Sequence, residues 1–300
     1  KTFKNFDTKE PTVMDNWRFK GADSLLKKGI YEMKGALKYL KKKKSDSKDR
    51  DRQILQIKKT CLEQDGKEDV KPELFNEMSR WRFPLHFVDF EGSRVAIPFN
   101  AGNRPYEQIA FQFSCHSFYE NGDIKHFEWI KKEPGEFPNF EFIMALKDVL
   151  DKDDGAIFSF SKYENTVLRE IHGQLERTKP KAFDYSGIMD WIDTITEWDE
   201  SPKAKVKNRM AGSRNMVDMC EIVRGYYYHP AMGGSNSIKV VLPAVLSVSS
   251  FLKEKYSKPL SFGTNLKGKI WRQDDAASGK AIDPYSLLIT NFDDNIGCDV

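Results

Sequence analysis

The order of secondary-structure signals between residues 81 and 177 constrains the fold of this 300-residue chain more than any other feature. In chain order, the signals predict a strand over residues 85–91, strands over 109–119 and 124–130, a helix over 140–150, a strand over 156–160 and a helix over 163–177. Between the second and third strands, Asn121-Gly122-Asp123 predicts a type I′ hairpin, because Asn-Gly accepts positive φ angles.

This order predicts a mixed α/β fold with helices flanking the sheet. An antiparallel meander followed by a crossover helix and a parallel strand is how ribonuclease-H-like sheets begin, although the pattern alone also fits other α/β folds. Beyond Pro180 the signals are weaker. Helices are predicted around residues 215–223 and 238–246, and residues 253–300 are predicted to be largely loop.

The N-terminal part of the chain differs from the rest in charge. Residues 1–60 contain 18 Lys and Arg against 8 Asp and Glu, whereas the other 240 residues contain 30 against 37. Apolar residues spaced three and four apart predict helices over residues 16–40 and around 54–61. We therefore predict a basic helical arm or linker over residues 1–80 and one α/β domain over residues 81–300.

Cysteine and histidine usage limits the possible chemistry. The four cysteines include no C-x-x-C pair and the five histidines show no ligand spacing, so neither a disulfide framework nor a zinc site is predicted. No apolar run approaches the ~20 residues of a membrane span, so no membrane partner is expected. A reducing cytoplasm is the expected compartment.

Asp89 and Glu91 form the sharpest local feature. Side chains alternate along a strand, so both carboxylates are expected on one face. A cation such as Mg²⁺ would relieve their repulsion, and two-metal phosphoryl-transfer sites are built in this way. The alternative is a structural salt bridge. The apolar strand favours the metal site, because unpaired carboxylates buried in it would be costly.

Two further acids are candidates for the same chemistry. Glu164 lies at the start of the helix that follows the strand over residues 156–160, and ligands gather at strand carboxyl ends in open α/β sheets. The alternative is that it only interacts with the helix dipole. Asp218 lies in an apolar patch, and the sequence supports a metal ligand and a helix-turn charge equally.

Aromatic and basic residues are candidates for contacts with nucleic acid. Tyr227, Tyr228 and His229 are predicted to stack on bases, with a core and loop segment as the alternative. Phosphate contacts are predicted for four consecutive lysines, Lys41, Lys42, Lys43 and Lys44. A solvated helix end explains these lysines equally well.

Six motifs between residues 84 and 246 are distinctive when read together. They are D-F-E (89–91), R-P-Y-E-Q-I (104–109), F-Q-F-S (111–114), N-M-V-D (215–218), Y-Y-H-P (227–230) and S-I-K-V-V-L-P-A (237–244). This half of the chain closely resembles bacterial domain-of-unknown-function family 2779. The resemblance implies a ribonuclease-H-like domain of the DEDD exonuclease kind, acting 3′ to 5′ on DNA or RNA ends with two Mg²⁺ or Mn²⁺ ions. It also implies an upstream RecB-like nuclease domain of the CRISPR-associated type in the parent protein.

The resemblance assigns roles to individual residues. Asp89 and Glu91 match its first acidic motif, Glu164 supplies the acid of the second, and Asp218 matches a further Asp of the family. The last acidic motif of such exonucleases has no counterpart in this sequence, so it either follows Val300 in a longer protein or is missing.

These observations lead to one main hypothesis and two alternatives. The main one is a two-metal exonuclease whose metal ligands are Asp89, Glu91 and Glu164, with Asp218 as a further catalytic candidate. The first alternative is a catalytically inactive module that binds nucleic acid or acts as a scaffold in a larger nuclease or defence protein. The second is an α/β interaction domain in which Asp89 and Glu91 form ion pairs.

Overall fold

The computed structural model describes residues 10–42, 47–133, 135–199, 209–261, 267–276 and 281–287. The chain divides into two compact units. Unit 1 combines Lys1–Pro72 with Ile222–Val300, and unit 2 is the continuous segment Glu73–Glu221. Unit 1 therefore joins two segments that are distant in sequence.

The described chain contains both helices and strands. The α-helices are α1 (Ala22–Leu26), α2 (Ala36–Lys42), α3 (Lys48–Ile57), α4 (Glu73–Met78), α5 (Asn139–Leu150), α6 (Tyr163–Thr178), α7 (Tyr185–Ile195), α8 (Met219–Tyr226), α9 (Ile238–Val248) and α10 (Ser250–Tyr256). The strands are β1 (Asp69–Val70), β2 (Leu85–Ser93), β3 (Ile109–Phe118), β4 (Ile124–Ile130), β5 (Ile157–Ser159), β6 (Glu197–Asp199), β7 (Arg209–Ala211), β8 (Val217–Asp218) and β9 (Tyr227–Tyr228).

Unit 2 is built on a five-stranded mixed sheet with the order β4-β3-β2-β5-β8. The β2, β3 and β4 strands form an antiparallel meander. The β5 and β8 strands are added in parallel beside β2. The predicted mixed α/β class is confirmed, and the strand order and directions are consistent with a ribonuclease-H-like arrangement.

Helices α5, α6 and α7 supply most of the core that covers one face of this sheet. Strand β2 contributes Val88 and Phe90, which alternate with side chains on the other face. Phe142 of α5 makes edge-to-face contacts with Phe90 (centroid distance 5.0 Å) and Phe113 (5.6 Å). Such aromatic pairs add to the free energy gained by burying the rings. The buried face of β2 is thereby fixed, and the opposite face is left for Asp89.

A buried polar network joins β2, β3 and the loop before β5. The His86 ring lies 2.7 Å from Ser117 Oγ through Nδ1 and 2.8 Å from Asp153 Oδ1 through Nε2. Arg214 extends the network, with Nη2 3.3 Å from the same Asp153 oxygen. A side chain on Gly155 would not fit beside it, because a Cβ built there would lie 2.0 Å from the Pro84 carbonyl oxygen. The network connects segments distant in sequence with its polar groups paired.

Unit 1 is held together by contacts between its N-terminal and C-terminal segments. The buried Arg52 donates from Nη1 to the Tyr227 carbonyl oxygen (2.6 Å), and its guanidinium lies 4.3 Å from the centroid of the Tyr228 ring. The Tyr228 hydroxyl lies 3.0 Å from Thr60 Oγ1. Strand β1 pairs antiparallel with β9, with Asp69 opposite Tyr228. These contacts make the unit depend on both segments.

The predicted strands and helices of residues 85–177 are confirmed, each within two residues of its predicted bounds. The type I′ turn is wrong: that turn needs two positive φ angles, and in this hairpin only Gly122 has one (89°). The continuous helix over residues 16–40 is also wrong. It is interrupted at Gly29, whose φ of 73° ends a helix readily.

Several elements beyond residue 180 were misread or missed, among them α10, which extends into the segment from residue 253 that was predicted to be largely loop. The helix predicted from residue 215 begins only at Met219, because Val217 and Asp218 pair with β5 as a two-residue strand. Helix α7 was not predicted at all. In the described part of the chain, no helix is long and apolar enough to cross a membrane.

Candidate acidic active site

The four predicted acids lie on, or shortly after, three adjacent parallel strands of unit 2. Asp89 and Glu91 lie on β2, Glu164 is the second residue of α6 directly after β5, and Asp218 ends β8. Because β2, β5 and β8 are neighbours and run parallel, their carboxyl ends meet at one edge of the sheet. The fold thereby brings four acids that are up to 129 residues apart in sequence to the same edge of the sheet.

Asp89 and Glu91 share one face of β2, as predicted from alternation, and both are exposed. The argument that the strand would bury them was therefore wrong. Much of the local apolar character comes from Phe87, whose ring stacks on Phe158 at a centroid distance of 4.9 Å. Exposed carboxylates need no buried ion pair, which leaves both available to a ligand.

Glu164 is the buried member of the group. Its residue is 3 % exposed, and within the described chain its buried Oε2 has no hydrogen-bond partner. Burial first, and then the charges of Asp89 and Asp218, raise the pKa of this carboxyl to about 7, although hydrogen bonds from the backbone of Glu164 and Phe90 lower it. A buried carboxylate with an unpaired oxygen near two other carboxylates is a position that a cation would stabilise.

Asp218 has a structural task at the same edge. Its Oδ1 accepts from the backbone N–H of Cys220 (2.9 Å) and Glu221 (3.3 Å), which caps the start of α8. The same oxygen accepts from the backbone N–H of Ser161 at 3.0 Å, and Ser161 has the unusual φ of 84°. Asp218 thus fixes the turn between β5 and α6, directly before Glu164, in addition to carrying a charge near it.

Tyr163 and Arg94 extend the site beyond the predicted residues. The Tyr163 hydroxyl lies 2.8 Å from the position of a Cβ built on Gly92, so the phenol sits against the end of β2. Burial raises the pKa of Tyr163, the Gln108 side chain lowers it, and the Glu91 charge raises it. The Arg94 charge also lowers it. The position of Tyr163 directly before Glu164 was the sequence signal that could have identified this tyrosine.

The donor set suits a hard cation rather than zinc. Carboxylate oxygens are the ligands that Mg²⁺ and Mn²⁺ prefer, and Asp89, Glu91 and Glu164 offer only such oxygens. The unpaired buried oxygen of Glu164 fits a metal ligand. In their present side-chain positions, however, no three His, Cys, Asp or Glu residues of the described chain converge closely enough to hold a metal ion.

The predicted lysine contacts belong to unit 1. Lys41 is exposed near the end of α2, the side chain of Lys42 is not described, and Lys43 and Lys44 lie outside the described residues. Of the cluster, Lys41 alone can therefore be placed, and it is solvated as a phosphate contact would require.

Tyr227, Tyr228 and His229 also belong to unit 1, where they form part of the core. Tyr228 is 0 % exposed. The His229 residue is buried as well, and its Nδ1 accepts from the Ala231 backbone N–H at 3.1 Å. Tyr227 is partly buried, and burial raises the pKa of its hydroxyl. A fully buried ring offers no free face for a base, so Tyr228 is not carried into the proposed nucleic-acid contacts.

Comparison with known proteins gives one match. A family model described as "Domain of unknown function (DUF2779)" matches residues 86–237, about half of the chain. The matched segment includes all four acids of the candidate site. No curated protein and no solved structure matches the chain.

Proposed function

We propose that this chain, which belongs to the DUF2779 family, is a metal-dependent exonuclease that hydrolyses phosphodiester bonds at nucleic-acid ends. The observation that carries the proposal is the buried, incompletely bonded carboxylate of Glu164, which lies within electrostatic reach of Asp89 and Asp218. Perturbed acids at the carboxyl edge of a parallel strand set are typical of catalytic sites.

Each acid has a distinct part in the proposal. Asp89, Glu91 and Glu164 would hold Mg²⁺ or Mn²⁺, and such ions activate a water and stabilise the leaving oxygen in phosphoryl transfer. Asp218 keeps the turn before α6 in place, because one of its oxygens accepts from three backbone N–H groups. The 3′-to-5′ direction and a partnership with an upstream RecB-like nuclease domain rest on the family resemblance alone.

A cleavage assay tests this function. We expect shortening of end-labelled single-stranded DNA or RNA in the presence of Mn²⁺, and loss of this shortening with EDTA. Asp89→Asn, which keeps the shape and removes the charge, should abolish it. The matched control is Asp148→Asn, an exposed acid of α5 away from the β2 edge. Cleavage that persists in Asp89→Asn would refute the assignment of the site.

One observation favours a second candidate function. The acids of the described chain do not converge as a ready metal site, which also fits a catalytically inactive module that binds nucleic acid. This candidate predicts salt-sensitive binding of nucleic acid without Mn²⁺-dependent cleavage. Measuring binding and cleavage on the same labelled strand separates the two. The cytoplasmic setting remains a proposal based on the scattered cysteines, of which Cys61 and Cys115 are free thiols in the described chain.

A further inference from the structure

The loop between β2 and β3, residues 94–108, exposes several large apolar side chains. Ile97 is 82 % exposed, Phe99 is 70 % exposed and Tyr106 is 64 % exposed. Exposed apolar side chains scattered singly are normal, but a group of them in one loop marks an interaction surface. The three residues lie within ten positions of one another, so this β2–β3 loop is a candidate for such a surface.

Hydrogen bonds hold the β2–β3 loop at several points. The Tyr106 backbone N–H donates to the Val95 carbonyl oxygen at 2.8 Å, which closes the loop on itself. Arg94 Nε donates to Gln108 Oε1 at 2.8 Å, where the loop begins and ends. Asn100 Nδ2 donates to the Gly135 carbonyl oxygen at 2.7 Å. A loop fixed in this way loses less conformational freedom when it binds a ligand.

The charge of the β2–β3 loop favours a polyanion. Its acid, Glu107, is already engaged, because Oε2 accepts from the Arg104 backbone N–H at 2.9 Å and Oε1 pairs with Arg177. Within the described chain, the exposed Arg104 side chain forms no ion pair. Arg94 pairs with Glu170 at 3.3 Å, but both side chains are about half exposed, so this pair is weak.

The β2–β3 loop starts at the acidic edge. Arg94 follows Glu91 by three residues along the chain that leaves β2. Tyr163, which is 40 % exposed, contacts the same strand end at Gly92 and directly precedes Glu164. A strand of nucleic acid bound along the loop would therefore lead toward the acids.

We propose that the β2–β3 loop binds single-stranded nucleic acid, with Phe99 and Tyr106 stacking on bases and Arg104 contacting a backbone phosphate. This inference rests on the proposed function and specifies its substrate class as single-stranded ends. Aromatic rings stack on any unpaired base, whereas the bases of a duplex have their faces covered by neighbours. The loop therefore selects unpaired strands without reading their sequence.

Binding measured without catalysis tests this inference. The whole chain is titrated in EDTA against fluorescent oligo(dT), oligo(U), a blunt duplex and an abasic strand of the same length, and anisotropy is recorded. Phe99→Ala and Tyr106→Ala should each weaken binding of oligo(dT) or oligo(U) by about 5-fold or more, since stacking contributes ~1–3 kcal/mol per base. Phe251→Ala is the matched control, because Phe251 is 68 % exposed on α10. It should bind like the wild type.

The abasic strand identifies the source of any loss. It keeps the phosphates and lacks the bases, so the two ring variants should bind it as the wild type does. Equal losses on the abasic strand, unchanged binding of both oligonucleotides, or a preference for the duplex would each overturn the inference. A change confined to self-association in sedimentation would also overturn it and would make the loop a protein-docking surface.

Cleavage separates this inference from the proposed function. If Mn²⁺-dependent cleavage occurs but the ring variants bind normally, the loop assignment is wrong and the exonuclease stands. If binding depends on the rings but no cleavage occurs, the loop assignment stands and the exonuclease is wrong.

Discussion

Glu164→Gln examines the electrostatics of the acidic site at its most buried member. The usual pKa of this carboxyl is 4.5, and burial together with the neighbouring acids raises it to about 7 in the folded chain. A folded-state pKa above the unfolded value means that the folded form binds the proton more tightly. The stability that this carboxyl contributes is then fully present below pH 4.5 and is lost as the pH rises through 7.

The size of this loss follows from the pKa difference. Each pKa unit corresponds to about 1.4 kcal/mol, so ionising Glu164 at pH 8 lowers the free energy of unfolding by about 3 kcal/mol. Gln keeps the shape and cannot ionise. We therefore expect Glu164→Gln to be more stable than the wild type by about 3 kcal/mol at pH 8, and by under about 1 kcal/mol at pH 5.

Urea unfolding in EDTA, followed by tryptophan fluorescence at both pH values, measures this difference. Glu176→Gln, an exposed acid of the same helix, is the control and should follow the wild type. Replacing EDTA with Mn²⁺ at pH 8 should stabilise the wild type and leave Glu164→Gln nearly unchanged, because only the native carboxylate binds the ion. A Glu164→Gln variant that is less stable than the wild type at pH 8 would refute the reasoning.

Three further perturbations test the scaffold of unit 2 by urea unfolding. Asp218→Ala removes an acceptor shared by three backbone N–H groups and should lower stability by about 1 kcal/mol or more in EDTA; unchanged stability would exclude the capping role. Gly155→Ala should cost about 1–3 kcal/mol, whereas Gly173→Ala, with nothing within 4 Å, should gain up to about 1 kcal/mol; equal effects would contradict the packing argument. Burial raises the pKa of Asp153, but the hydrogen bond from His86 and other favourable contacts lower it more, so the net pKa is below 3.8. We therefore expect Asp153→Asn to be less stable than the wild type at pH 7 and to approach the stability of the wild type as the pH falls below 3.8.

Local pattern was sufficient for strands β2 to β5 and for helices α5 and α6. Strand β4 and helix α6 follow from alternation and from 3.6-residue periodicity, both of which depend on neighbours close in sequence. Strand β8 could not be found in this way. It has two residues, and it exists because Val217 and Asp218 pair with β5 across a separation of about 60 residues.

The sequence indicated which acids belong to the candidate site, but not how exposed or buried each of them is. The motif around Asp89 and the position of Glu164 after a strand were readable from the sequence. Their burial was not: Asp89 is exposed because helices cover the other face of β2, and Glu164 is buried by the packing of α6. The contact of Tyr163 with the end of β2 at Gly92 was missed for a similar reason, although its position directly before Glu164 was visible in the sequence.

The hydrogen bond from Arg52 to the Tyr227 carbonyl oxygen spans 175 residues of sequence. During synthesis, a ribosome that adds about 5–20 residues per second would need roughly 10–35 s to produce the second partner after the first. Unit 2, in contrast, is continuous and has its whole core once Glu221 has emerged. Unit 2 can therefore fold on the ribosome while residues up to Pro72 still lack Tyr228 and α9. The N-terminal segment buries Leu25 and Ile57 within its own apolar cluster, whereas Leu55 and Thr60 lack their partners until the C-terminal segment has been made.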